Sequence, residues 1–176
     1  LSHLETAAEG ASRMEVLIDE LLTLARKGEL VSETVPVDIE KAARDAWRNV
    51  DAPAATLQCH STAIVDADAP RLCEVFENLF FNAIEHGGDR VTVQVGTIEG
   101  SDGATTGFYV ADDGPGIPDD ERAQVFERGY TTNPDGTGFG LAIVSDIVDA
   151  HGWAIDVETS AGGGARFEIR TTPDDQ

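Results

Sequence analysis

The sequence predicts an α+β fold. Its core is a two-layer α/β sandwich, in which helices cover one face of a mixed, largely antiparallel sheet, and a long N-terminal helix precedes it. Two observations predict the sandwich. Apolar residues recur at helical spacing over 69–86 and 138–150, and strand-like segments cover 90–97, 107–111, 154–159 and 165–171. A third observation, a heptad near the N-terminus, predicts the separate helix.

The heptad runs through residues 1–27. Its apolar positions alternate at spacings of three and four: Leu4, Ala7, Ala11, Met14, Ile18, Leu21 and Ala25. A seam this narrow is typical of a helix that pairs with another helix, and Gly28 after Lys27 provides a stop. We therefore expect residues 1–28 to pair in a helical hairpin or a dimer. A helix that packs on its own domain is the alternative.

The remaining elements follow in order. Residues 29–35 are expected to form a linker, and Asp38 to cap a helix that runs to about Val50. Short strands are expected over 57–60 and 63–65, around a turn. Pro70 suits the first turn of a second helix, which Gly87-Gly88 ends. A long Gly-, Pro- and Asp-rich segment, 112–137, separates the middle strands from the last helix.

The charge balance excludes a nucleic-acid binder. The 176 residues contain 12 Lys+Arg against 33 Asp+Glu, a formal net charge of −21, whereas a phosphate backbone requires a basic face. Only two of the cations are lysines. This balance favours a protein from a salt-rich cytoplasm, where salt screens self-repulsion; an ordinary acidic cytosolic protein is the alternative. The two cysteines, Cys59 and Cys73, have no metal-site spacing and are expected to be reduced thiols.

No run of 18 apolar residues predicts a membrane-spanning helix. Because the chain starts at Leu1 without a signal-peptide pattern, we expect a cytoplasmic part of a longer protein. A membrane attachment upstream of Leu1 is left open.

Two asparagines on the middle helix are the first candidate site residues. Asn78 and Asn82 are four apart, and hence on one face. Buried amides need partners, and carboxamide oxygens suit Mg²⁺. A ligand or metal site is one interpretation, and a satisfied structural pair is the other.

The segment DDGPGIP (112–118) directly follows a strand. Asp112 is therefore expected at a strand end, where a carboxylate can accept a hydrogen from the exocyclic amine of adenine. The glycines allow the backbone to approach a ligand closely. A plain Asp-Gly-Pro turn is the alternative.

A second glycine-rich segment, GTGFGL (136–141), leads into an apolar helix. Free N–H groups and the positive end of the helix dipole form an anion site there. The two common nucleotide motifs, GxGxxG after a first strand and GxxxxGK[ST], are absent.

Together, in this order, the segments resemble the ATP-binding domain of sensor histidine kinases, in the superfamily shared with gyrase, Hsp90 and MutL. The resemblance covers about residues 35–171 and includes the ending HGW…GGGARFEI (151–169). The heptad helix is similar to the second helix of the kinase dimerisation hairpin. The matching boxes are FENLFFNAIEH (76–86), DDGPGIP (112–118), VFERGY (125–130) and GTGFGLAIV (136–144).

The resemblance implies an ATP-binding domain over 36–173, with a lid over about 118–135 that Phe126 packs down. It implies that Asn78 and Asn82 reach Mg²⁺ and the phosphates, and that Asp112 reads the adenine amine. Glycines would let the chain pass the base, hinge the lid and offer N–H groups: Gly114, Gly116, Gly136, Gly138 and Gly140. The implied contacts also include His86, Ile117, Thr131, Thr132, Thr137, Phe139 and Leu141.

Some positions differ from the family pattern. Glu85 and Asn133 stand where many relatives carry a cation, and Arg128 is the nearest replacement for γ-phosphate charge, with a solvated lid charge as the alternative. Hydrolytic relatives carry a water-activating Glu where this chain has Asn78. Because an amide cannot act as a general base, phosphoryl transfer is favoured over hydrolysis.

None of the four histidines fits the phosphoacceptor pattern of the family, so the acceptor is expected upstream of Leu1. The resemblance implies the catalytic part of a two-component histidine kinase, which uses ATP and Mg²⁺. Its implied partners are a second copy, through the N-terminal helix, and the receiver domain of a response regulator. The alternatives are a hydrolytic ATPase or serine kinase of the same superfamily, and a regulatory ATP-binding module without kinase activity.

Overall fold

The structure is a computed structural model and describes residues 31–133 and 138–172. The predicted helix over residues 1–28, together with Gly136 and Thr137, lies outside the described residues. Three helices occur within them: α1 (Ile39–Trp47), α2 (Ala69–Gly87) and α3 (Gly140–Ala150). The strands are β1 (Val35–Asp38), β2 (Thr56–Cys59), β3 (Ile64–Ala67), β4 (Thr92–Glu99), β5 (Thr105–Asp112), β6 (Ala154–Thr159) and β7 (Ala165–Arg170).

Five strands form the main sheet in the order β2-β4-β5-β7-β6. Only the β2–β4 pair is parallel, and the other three pairs are antiparallel. The predicted fold class, a mixed and largely antiparallel sheet with helices, is confirmed. Val95 opposes Val110, and Val110 opposes Phe167, so one face of the sheet is apolar. Asp112 opposes Val93 and therefore lies on that same face, at its end.

A second, two-stranded sheet differs from the prediction. β1 pairs antiparallel with β3, with Val35 opposite Ala67, whereas the sequence assigns residues 29–35 to a linker. The segments 57–60 and 63–65 do not pair with each other. Instead β2 joins the edge of the main sheet, where His60 N–H donates to the carbonyl of Val95 at 2.8 Å. The partners of both short strands are distant in sequence, so local pattern does not identify them.

The helix starts are the predicted ones for α1 and α2. Asp38 caps α1, where its Oδ1 accepts from the N–H of Lys41 at 2.9 Å, and this hydrogen bond lowers the pKa of the Asp38 carboxyl. Asp68 caps α2 by accepting from the N–H of Arg71. Gly88, with φ of 82°, follows the last turn of α2. α1 ends at Trp47, before the expected Val50.

The core lies between the apolar face of the sheet and α2. Phe76 stacks on Phe80 at 5.8 Å between ring centroids and also contacts Phe108 of β5 at 5.5 Å. Trp47 of α1 packs edge-on against Phe80. α2 thus turns one row of side chains to the core, and all of that row is buried: Leu72, Val75, Phe76, Leu79, Phe80 and Ala83.

Cys59 and Cys73 are free, as the sequence predicts. Among the residues that the structure describes, no helix is long and apolar enough to cross a membrane.

Candidate functional site

A cavity of about 440 Å³ opens beside the C-terminal half of α2. Its walls also include the end of β5, the loop after it and the N-terminus of α3. Predicted site residues that line it are Asn78, Asn82, His86, Asp112, Gly116, Ile117, Thr131, Thr132, Gly138, Gly140 and Leu141. Gly114, Phe139 and Arg128 are described but do not line it, and Gly136 and Thr137 lie outside the described residues.

Asp112 is the buried carboxylate of this cavity, with 9% of its surface exposed. Its Oδ1 accepts from the N–H of Gly114 at 2.9 Å and of Ala165 at 3.2 Å. Burial raises the pKa of the Asp112 carboxyl, although these two N–H donors oppose the shift. Its Oδ2 makes no hydrogen bond to the residues that the structure describes. One carboxylate oxygen is therefore fixed by the protein, and the other is available to a ligand.

The turn between β6 and β7 fixes the backbone of Asp112. Ser160 Oγ donates to the backbone carbonyl of Asp112 at 2.6 Å and accepts from the N–H of Gly164 at 2.9 Å. Gly116 packs against the same turn with φ of 75°, and a Cβ at this position would lie 2.8 Å from the carbonyl oxygen of Gly163. Glycine is therefore required at 116 by both conformation and space.

Asn78 and Asn82 differ in what their side chains do. Asn78 Nδ2 donates to the carbonyl of Glu74 at 2.8 Å, which directs its Oδ1 toward Gly140 at the start of α3. Asn82 is half-buried and makes no hydrogen bond within the described part of the chain. The side-chain nitrogen of Asn78 thus has a structural partner. The side-chain amide of Asn82 has none among the described residues. Two carboxamide oxygens at one cavity wall fit a Mg²⁺ complexed with phosphates.

The N-terminus of α3 is open to the cavity. Phe139 occupies its N-cap position, and no side chain caps the helix. Gly138, with φ of 71°, shapes the approach, and its carbonyl accepts from the N–H of Gly129 at 3.0 Å. A Cβ on Gly138 would collide with the backbone of Gly129 and Tyr130. Uncapped N–H groups at a helix start provide an anion site.

The lid segment, residues 118–133 of the described chain, contacts the core at several points. The ring of Phe126 lies edge-to-face with Phe167, with 6.3 Å between centroids. Tyr130 Oη donates to Glu121 at 2.7 Å, and this hydrogen bond raises the pKa of the Tyr130 phenol. Arg128 forms an ion pair of 2.8 Å with Asp146 of α3. Arg128 therefore ties the lid segment to α3 rather than reaching into the cavity.

A further contact joins the end of the lid segment to α2. Asn133 Nδ2 donates to Glu85 Oε1 at 2.6 Å. The two positions where the family pattern often has cations are thus in direct contact with each other. The described lining of the cavity includes Glu85, Asp112 and Glu121, but neither Lys nor Arg.

Residues 67–176 match a family model described as the histidine kinase-, DNA gyrase B- and HSP90-like ATPase. The chain belongs to this ATPase family.

Relatives of this ATPase domain are sensor histidine kinases, which confirms the resemblance. The chain is 34% identical over 171 residues to sensor histidine kinase ZraS of Salmonella typhimurium, covering 94% of this chain and 36% of ZraS. It is 37% identical over 168 residues to the sensor-type histidine kinase PrrB of Mycobacterium leprae, covering 90% and 37%. The chain thus spans little more than a third of the length of these relatives.

Two solved structures extend the comparison. The crystal structure of full-length ShkA in complex with AMPPNP has a TM-score of 0.74 and 31% identity, covering 93% of this chain and 36% of ShkA. The ATP-binding domain of PrrB from Mycobacterium tuberculosis has a TM-score of 0.62 and 32% identity, covering 79% and 96%.

In this ATPase domain the cavity also contains residues that the sequence does not single out as ligand contacts. Ser160 is a further residue of this kind, which lies outside the cavity lining and acts through its hydrogen bond to the carbonyl of Asp112. Tyr130 belongs to a quoted box but carried no role. The other unassigned lining residues are Phe81, Pro115, Pro118, Glu121, Val125 and Ala165.

Proposed function

We propose that this chain is the catalytic part of a sensor histidine kinase, which binds ATP with Mg²⁺ and transfers the γ-phosphoryl group to a histidine upstream of Leu1. The phosphoryl group then passes to an aspartate of a response regulator. The observation that carries this proposal is Asp112, which has one oxygen fixed by the backbone and one available at the buried end of the cavity.

The cavity supports a division of roles along its length. Asp112 Oδ2 accepts from the adenine amine, and Gly116 keeps the adjacent backbone close to the base. Asn78 and Asn82 present carboxamide oxygens to Mg²⁺, which supplies the charge neutralisation that the lining lacks. The N–H groups at the start of α3 hold phosphate oxygens, with Thr131 and Thr132 beside them.

Asn78 favours transfer over hydrolysis. Its amide nitrogen is hydrogen-bonded to the helix backbone, and an amide has no proton-accepting capacity near neutral pH. Positioning of the phosphoryl group and electrostatic stabilisation remain the contributions of this domain, as expected for phosphoryl transfer.

The partners and boundaries are part of the same proposal. We propose that residues 1–28 form a helix of a dimerisation hairpin and that 36–173 form the ATP-binding domain with its lid over 118–135. Of the expected connection 29–35, Val35 belongs to β1. A second copy pairs through the N-terminal helix, a receiver domain takes the phosphoryl group, and the domain works in the cytoplasm.

A second candidate is a nucleotide-binding regulatory module without kinase activity. The contact between Asn133 and Glu85 favours it, because neither side chain supplies a cation to the phosphates.

Labelled transfer separates the candidates. The chain is incubated with γ-labelled ATP and Mg²⁺, and with the hairpin that carries the acceptor histidine, produced separately. Acid-labile label on the hairpin is the expected result. Free phosphate alone would indicate a hydrolase, and binding with neither product would indicate the regulatory module. Asp112→Asn serves as the control that should give no label.

A further inference from the structure

Almost all cations that the structure describes form ion pairs with carboxylates that do not line the cavity. Within residues 31–133 and 138–172, every Lys and Arg except Arg90 forms an ion pair with a carboxylate. Arg90 is exposed and does not line the cavity. A polyphosphate that enters the cavity therefore meets carboxylates without a compensating described side-chain cation.

Glu85 is the carboxylate whose position matters for this charge balance. It follows Asn82 by three residues on α2, so both lie on the helix face that lines the cavity. Its Oε1 accepts from Asn133 Nδ2 at 2.6 Å, which holds the carboxylate beside the lid residues Thr131 and Thr132. Asp112 lies at the buried end, on β5, and Glu121 is hydrogen-bonded to Tyr130. Glu85 is thus the carboxylate between the two metal-suited amides and the lid.

We infer that Glu85 is a specificity-determining residue, which makes the cavity select a metal-complexed nucleotide over the metal-free one; this inference rests on the proposed function. A metal-free triphosphate brings its full negative charge next to the Glu85 carboxylate. Because Glu85 is exposed at the cavity wall, salt screens this repulsion, which is therefore strongest at low ionic strength. The metal complex carries less negative charge and meets less repulsion. Glu85 therefore contributes to selectivity by its charge, and Asn133 only orients it.

The experiment measures the ratio of two dissociation constants, for ATP in EDTA and for ATP with excess Mg²⁺. Calorimetric titrations are run at matched ionic strength, at the lowest KCl concentration that keeps the chain folded. Glu85→Gln removes the charge but keeps an oxygen that accepts from Asn133. We expect the ratio to fall by about tenfold, mainly because metal-free ATP binds more tightly.

The matched control is Glu77→Gln. Glu77 lies on the same helix outside the cavity and accepts from Asn49 Nδ2, also at 2.6 Å. This variant makes the same change in net charge, and we expect the ratio of the unaltered chain. Asn133→Ala removes the lid contact while the charge stays, and it should keep most of the selectivity.

An unchanged ratio in Glu85→Gln would overturn the inference. So would an equal fall in Glu77→Gln, which would indicate overall charge, or in Asn133→Ala, which would indicate the lid contact. Failure of the unaltered chain to bind ATP with Mg²⁺ would instead overturn the proposed function. The two failures are therefore distinguishable in one set of titrations.

Discussion

The hydroxyl of Ser160 donates a hydrogen bond of 2.6 Å to the backbone carbonyl of Asp112, so the β6–β7 turn is joined to the last residue of β5. Ser160→Ala removes this bond and the one that Ser160 accepts from Gly164. Because both hydrogen bonds of Ser160 are buried, we expect the free energy of unfolding to fall by about 1–3 kcal/mol and ATP binding to weaken. Denaturant titration and calorimetry measure the two effects.

Ser61→Ala is the control for this change. Ser61 Oγ accepts from the N–H of Thr97 at 2.8 Å and is also hydrogen-bonded to Thr97 Oγ1 at 2.8 Å. Both contacts are exposed, so water replaces the lost bonds and the loss of stability should be smaller. Equal losses in both variants would contradict a special role for the buried turn.

Asp112→Asn should abolish ATP binding and leave the fold intact. Asparagine keeps an oxygen for the N–H groups of Gly114 and Ala165, but presents an amide where the second carboxylate oxygen was. Calorimetry should detect no binding, and thermal denaturation at neutral pH should show no loss of stability. The Asp113 side chain instead accepts from the N–H of Thr92, so the Asp113→Asn variant should bind ATP normally. Unchanged binding in Asp112→Asn would remove its adenine role.

The same variant tests a pH dependence. Burial raises the pKa of the Asp112 carboxyl above its unfolded value. Its contribution to stability is then fully present below the unfolded pKa and is lost as pH rises through the folded pKa. Asp112→Asn should remove that component from the pH profile of unfolding.

Asn82→Ala should reduce the dependence of ATP binding on Mg²⁺. The Asn82 amide lines the cavity and has no hydrogen-bond partner among the described residues, so its loss leaves the protein interior unaffected. We expect the gain in affinity on adding Mg²⁺ to shrink by about tenfold, the range seen when a metal-site contact is lost. Asn49→Ala, outside the cavity, is the control. An unaltered Mg²⁺ dependence would place Asn82 outside the metal site.

Asp68→Ala should destabilise the domain at neutral pH. Burial alone would raise the pKa of Asp68, but hydrogen bonds from the N–H groups of Ser32 and Arg71 lower it below its usual value. The stabilisation is thus present above the unfolded pKa and is lost as pH falls through the folded pKa. We expect a loss of about 1 kcal/mol at pH 7, which shrinks on acidification. A pH-independent loss would contradict the charged cap.

The net charge of −21 leads to a prediction about salt. Since almost all described cations are already in ion pairs, the surplus carboxylates repel one another through solvent. The screening length falls from about 10 Å at 0.1 M salt to about 3 Å at 1 M. We therefore expect the Tm to rise steeply with KCl. A flat Tm from dilute to molar KCl would reject the halophilic interpretation and leave the kinase proposal untouched.

Local pattern predicts the parts of this molecule that depend on local chemistry. The cap at Asp38, the start of α2 just before Pro70, the apolar row of α2 and the place of Asp112 at a strand end all follow from neighbouring residues. The β1–β3 pairing does not, because its partners are about 30 residues apart and both strands have only four residues.

The sequence pattern likewise predicts only part of the candidate site. Motif spacing places Asn78, Asn82 and Asp112 at one cavity. It does not identify Ser160, whose contact with Asp112 spans 48 residues. Nor does it show that Glu85 and Asn133 are in contact. The sequence shows only that each position lacks the cation that many relatives carry there. Contacts between distant loops depend on the assembled fold, which no single segment encodes.

Helix α2 has a buried row of apolar side chains that faces the core, and a second row, which includes Asn78, Asn82 and Glu85, that lines the cavity. Because both rows must keep their directions, the length of the helix can vary little. Each residue turns an α-helix by about 100°. Inserting or deleting one residue ahead of Asn78 would swing the carboxamides away from the cavity and turn Phe80 out of the core. The turn of residues 100–104 between β4 and β5 is exposed apart from half-buried Gly100, and it faces neither the core nor the cavity. Length differences among relatives should therefore collect in that turn and be absent from α2.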